Sequence, residues 1–178
     1  MKTAQDWFVA GLAALDRSRG ADRDWEYYGD LEEAVDAFDH ALAVDPTHLA
    51  SLRERGFILA KLDQHEAALD SFVAAASLKP ADADLQLSVA KSLQALKQFD
   101  RALGAFGEVL LARPGDDQAL VGRAECLTAL DRDALALAAW DEAIAVLDAR
   151  QVEHHGKLIR DLTDDWRAKE ARKARAIV

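Results

Sequence analysis

The chain has 178 residues, 51% of them hydrophobic and 30% charged, with three prolines and a net charge of −10. That length suits one well-buried domain, the composition is far from the polar bias of disorder, and the acidity excludes a nucleic-acid backbone as main partner, because binding there relies on Lys and Arg displacing counterions. The single cysteine, Cys126, rules out an intramolecular disulfide and fits a cytoplasmic location.

The first predicted element is a helix around AQDWFVAGLAAL. Gln5 and Asp6 interrupt its apolar residues and Asp16 follows them, so it reads neither as a signal peptide nor as a spanning helix, which needs about 20 apolar residues; no membrane insertion is expected. A second helix follows at EEAVDAFDHALAVDP (32–46), but too late. Gly11 to Ala34 is 23 residues where the later Gly56 to Ala68 is 12, leaving about 11 extra residues near 17–28. Eleven residues are nearly three helical turns, so a longer first helix would stay in phase. Gly20 and the charged run RSRGADRD favour a loop instead, with Trp25, Tyr27 and Tyr28 folding back onto the repeat.

The pattern then recurs. EAALDSFVAAASLKP (66–80) and DRALGAFGEVLLARP (100–114) end, like the first segment, in a proline, and Pro46, Pro80 and Pro114 are 34 residues apart; ALALAAWDEAIAVLD (134–148) keeps the register without the proline. Ala34, Ala68, Ala102 and Ala136 form one column, and Phe38, Phe72, Phe106 and Trp140 follow four residues later on the same helical face. The small residue admits a neighbouring helix and the aromatic fills the space between repeats. Ala41, Ala75, Val109 and Ala143 extend the stripe. Preceding helices read LASLRERGFILAKL, DADLQLSVAKSLQAL and DQALVGRAECLTAL, with Gly56, Ala90 and Ala124 at a close-contact position and Leu59, Leu93 and Leu127 three residues on. Thr47, Asp82 and Asp116 are the expected N-caps, and the prolines end the preceding helices.

After Asp148, Leu158, Leu162 and Trp166 recur every four residues, predicting a last helix that covers the terminal apolar face. Residues 166–178 carry Arg167, Lys169, Arg172, Lys173 and Arg175 against Glu170, a balance of +4. This end is read as a solvated helix terminus, with pairing to the chain's own acidic body, to a second copy or to an acidic partner as the alternative.

A 34-residue period with these columns resembles the tetratricopeptide repeat family. Trp7 and Gly11 also fall on its tryptophan and glycine columns. The resemblance implies an all-α fold: a right-handed α-solenoid of about four helix pairs with a C-terminal capping helix. It forms a single domain over 1–178, with repeats at about 4–46 (insert near 17–28), 49–82, 83–116 and 117–150 and the cap at about 151–176. It further implies a concave groove lined by the first helices. Carried onto this chain, the groove positions are Ala50, Arg53, Glu54, Phe57, Ala60 and Lys61, then Asp84, Leu87, Ser88, Lys91, Gln94 and Ala95, then Gln118, Val121, Gly122, Glu125, Thr128 and Ala129, with Phe8, Val9 and Leu12 from the first repeat. The candidate peptide-binding residues are Phe8, Leu12, Arg53, Phe57, Lys61, Leu87, Lys91, Val121 and Glu125, with Phe8 and Leu12 weighed equally as core. Chaperone-binding members clamp a carboxylate with lysines and asparagines, and this chain has no asparagine.

No glycine-rich phosphate loop, zinc-type cysteine pair or nucleophile elbow is present. His154 and His155 point about 100° apart on a helix and converge poorly on a metal; Cys126 is expected as a buried, inert thiol; Glu32 with Glu33 and Asp164 with Asp165 are expected to be solvated. No enzyme activity, metal or cofactor is therefore expected. The function expected is a bacterial-type adaptor or assembly factor holding a partner peptide. The alternatives are a dedicated chaperone for a secreted or membrane-inserting protein, resembling the acidic tetratricopeptide chaperones of type III secretion, and a self-associating structural homo-oligomer.

Overall fold

A computed structural model describes residues 2–20, 23–149 and 164. Its helices are α1 (Ala4–Ser18), α2 (Asp24–Val44), α3 (Leu49–Lys61), α4 (His65–Leu78), α5 (Ala83–Ala95), α6 (Phe99–Ala112), α7 (Asp117–Ala129) and α8 (Asp133–Ala149). Contacts divide the chain after Gln98, so that α1 to α5 belong to one compact unit and α6 to α8 to another. The chain is all-α among the described residues, and its helices recur in the expected pairs. The expected capping helix at 151–176, its basic end and the His154–His155 pair lie outside the described residues.

The repeat period is written into the turns as well as the helices. Asp63, Lys97 and Asp131, 34 residues apart, all have left-handed backbones with φ of 57°, 57° and 54°. Each follows the end of a first helix, and the next residue's N–H reaches back to that helix: Gln64 to the Leu59 carbonyl at 2.9 Å, Gln98 to Leu93 at 2.9 Å and Arg132 to Leu127 at 3.0 Å. These are Schellman closures, which satisfy carbonyls that the helix end would otherwise orphan.

The helix starts are equally regular, with one correction. Asp82 accepts from the Asp84 and Leu85 N–H groups, and Asp116 from Ala119. The equivalent cap on α3 is His48, whose ring nitrogen accepts from the Ser51 N–H at 3.3 Å. Thr47 does not cap α3. Its N–H and hydroxyl both donate to Asp45 Oδ1, at 2.9 and 2.8 Å, because the cap column runs two residues after each proline and Thr47 is one residue early. Helix α1 starts with a capping box between Thr3 and Asp6.

Packing follows the alanine and aromatic columns. Ala34, Ala68, Ala102 and Ala136 are fully buried, as are Phe38 and Phe106, and Phe72 is 2% exposed. In the first unit the Phe38 ring lies against Gly11 and the Phe72 ring against Gly56; a Cβ at Gly11 would come within 2.5–2.9 Å of the ring, and one at Gly56 within 2.6–2.9 Å. In the second unit Phe106 lies against Gly122, where an added Cβ would collide with the ring. Burying each ring contributes roughly 1.5–3 kcal/mol.

The insert is not chiefly a loop. Relative to the α3–α4 pair, α1 gains two residues, the connection gains two, and α2 starts seven residues early, two turns ahead of its counterpart. Leu31 is 1% exposed, and Tyr27, one turn earlier, packs on the cluster of Ala14, Leu31, Ala34, Phe38 and Ile58. This (i, i+4) apolar pair carries the helix past the charged stretch. Arg17 fixes the longer helix by pairing with Asp30 at 3.1 Å and Glu33 at 2.5 Å. Of the three aromatics expected to fold back, Tyr27 does so, Tyr28 is 50% exposed, and the Trp25 side chain lies outside the described residues.

Candidate functional site

The candidate residues sit four apart on the first helices, so each helix presents them as one stripe. On α3, Arg53, Phe57 and Lys61 are all exposed, Phe57 by 40%. On α5, Leu87 is half-buried and Lys91 exposed. On α1 the two residues part company. Phe8 packs into the core, its ring 5.6 Å from Phe38 and 5.3 Å from His48, whereas Leu12 is 40% exposed. In the second unit, Val121 on α7 is half-buried and Glu125 exposed. Gly122, expected on the groove surface, is buried under Phe106.

A pocket of about 170 Å³ opens between α3, α4 and α5. Phe57 and Ala60 line it from α3, His65 and Phe72 from α4, and Ser88, Lys91, Ser92 and Ala95 from α5. Five of these eight, Phe57, Ala60, Ser88, Lys91 and Ala95, occupy expected groove positions. His65, Phe72 and Ser92 lie outside those positions. Phe72 could be read only as inter-repeat packing from its column, yet its ring also floors this pocket. The Phe57 and Phe72 rings meet edge to face, with centroids 5.1 Å apart and planes at 68°, a favoured aromatic arrangement. The serine hydroxyls turn back onto their own helix: Ser88 donates to the Asp84 carbonyl and Ser92 to the Ser88 carbonyl, both at 2.9 Å.

Cys126 is fully buried in the second unit. Loss of solvent, reinforced by the Glu125 charge, pushes its thiol up to about 11, so it stays protonated at neutral pH and is a poor nucleophile. Among the described residues no three His, Cys, Asp or Glu side chains converge on a metal position, and no helix is long and apolar enough to cross a membrane.

The architecture matches solved structures. The C-terminal part of a TPR repeat-containing protein from Cytophaga hutchinsonii superimposes with a TM-score of 0.75 at 17% identity, over 98% of this chain and 64% of that one. MamA AMB-1 does so with a TM-score of 0.72 at 17% identity, over 84% of this chain and 76% of that one. The fold is that of a tetratricopeptide repeat. A third tetratricopeptide structure, the first TPR of Spaghetti (RPAP3) bound to the HSP90 peptide SRMEEVD, matches with a TM-score of 0.56 at 17% identity, over 70% of this chain and 95% of that one. No protein-family model and no curated protein matches the sequence.

Proposed function

We infer that the chain is a non-enzymatic, cytoplasmic protein-interaction module, an adaptor or assembly factor that holds a segment of a partner polypeptide against the first helices of its N-terminal unit. The observation that carries this is Phe57: a large aromatic ring, 40% exposed, at the edge of a pocket and between two cations one turn away on either side, Arg53 and Lys61. Exposed aromatic anchors beside arginine are the side chains that dominate binding energy at interfaces. A related fold with a peptide bound to it supports the same use of this architecture. The net charge of −10 disfavours nucleic acid as the partner.

The test is capture of partners with the intact chain and with a Phe57→Ala, Lys91→Glu double variant whose helicity is verified by circular dichroism. A partner retained by the intact chain and lost by the variant supports the reading. Equal retention by both moves the interaction away from α3 and α5.

A further inference from the structure

The pocket between α3, α4 and α5 lies beside the Phe72 ring of the aromatic column. In the second unit Phe106 lies against Gly122. The residue 34 positions before Gly122 is Ser88, which lines the pocket together with Phe72, while the Phe72 ring also lies against Gly56. We propose that this pocket seats one leucine- or phenylalanine-sized side chain of a partner polypeptide, and that a carboxylate within two residues of that side chain is held by the cations at its mouth. This rests on the peptide-holding reading above and specifies its ligand.

Size selects the side chain. An apolar cavity of about 150 Å³ admits a benzene ring, so about 170 Å³ takes one phenyl group or one branched aliphatic chain. Polarity selects against a hydroxyl or amide there. The Ser88 and Ser92 protons are committed to backbone carbonyls, and Phe57, Phe72, Ala60 and Ala95 supply carbon, with His65 and Lys91 the other polar side chains of the lining, so a hydroxyl or amide seated among the rings would lose its water without full replacement. Charge selects the neighbour. Arg53 and Lys61 flank Phe57 on an exposed stripe and Lys91 lines the pocket itself, a local cationic rim on a chain of net charge −10. Such a rim favours acidic segments and speeds their encounter.

The experiment is selection of random dodecapeptides displayed on phage against the full chain, followed by anisotropy titration of the enriched peptides, labelled, against variants with intact circular dichroism. Enriched peptides are expected to share one Leu, Ile, Met or Phe with Asp or Glu within two residues. Replacing that apolar residue by Ala, or filling the pocket with Ala95→Phe, is expected to weaken binding about tenfold or more; Ala60→Leu, filling it from the opposite wall, gives the same loss. Lys91→Ala is expected to weaken binding about threefold and to flatten its salt dependence. Enriched peptides that bind the filled variants as tightly as the natural chain overturn the pocket assignment and leave the peptide-holding reading standing. Failure to enrich any peptide removes both. A molecular mass that rises with concentration and is lost in Ala95→Phe gives the pocket to a second copy of the chain and overturns the proposal.

Discussion

The ring of Phe72 lies so close to Gly56 that a Cβ on that residue would stand 2.6 Å from Cε1. One hydrogen in place of a methyl group therefore decides where an aromatic ring rests. Gly56→Ala forces the ring off its seat. Overpacking of this kind costs about 1–3 kcal/mol, to be read as a lower urea midpoint at unchanged m-value. Gly29 is the control: it is exposed on α2, with nothing within 4 Å of an added Cβ. Gly29→Ala is expected to stabilise by about 0.5–1 kcal/mol. The two substitutions must change stability in opposite directions.

The left-handed turn residues give a second prediction. Lys97, at φ 57°, holds a backbone conformation that costs a residue with a Cβ about 1–2 kcal/mol. Part of that is offset by the wider freedom a glycine has in the unfolded chain. Lys97→Gly is expected to raise stability by about 0.5–1 kcal/mol, and Lys97→Val to lower it, since a branched Cβ fits that region worst. Thermal and urea unfolding of the three proteins tests the order.

Arg55 couples three helices. Its Nε pairs with Asp39 of α2 at 2.5 Å, and one of its terminal nitrogens donates to the buried Ser71 hydroxyl of α4 at 2.6 Å. The Asp39 side chain is 49% exposed, and an exposed ion pair contributes only about 0.2–1 kcal/mol. Asp39→Ala should cost little, and less in high salt. Arg55→Ala also removes the donor to Ser71 and should cost about 1–2 kcal/mol in either. Equal costs for the two variants would show that Ser71 contributes nothing.

Cys126 gives the pH dependence. Its thiol rises from an ordinary 9.0 to about 11 in the folded chain, so between those values the folded state holds a proton that the unfolded state has lost. Its contribution is whole below pH 9 and is lost as pH climbs toward 11, at a slope of at most about 1.4 kcal/mol per pH unit. Urea midpoints measured from pH 8 to 10.5 should fall more steeply for the natural chain than for Cys126→Ala.

Much of this fold can be read from spacing alone. The alanine column at 34, 68, 102 and 136 lies fully buried as its period demands, because a 34-residue repeat places equivalent residues in equivalent environments. The insert was harder. Gly20 and its charged neighbours carry real turn signals, but a helix is decided by the face it can bury, and Tyr27 with Leu31 supplies that face just beyond the charges. The candidate site was legible as stripes and not as a cavity. Phe57 and Lys91 could be placed four residues from their neighbours on exposed faces, whereas the pocket depends on the space left around the Phe72 ring, which no column shows. A column shows that a ring is present, not what it covers, and the burial of Gly122 under Phe106 is of that kind.

The lone thiol has a practical consequence. Sealed away and held in its protonated form, Cys126 offers little background to maleimide chemistry at neutral pH. A pair of new cysteines at exposed sites such as Lys61 and Tyr28 can thus be tagged with spin labels while the natural residue stays in place. Distances between helices can then be followed in solution without first rebuilding the core.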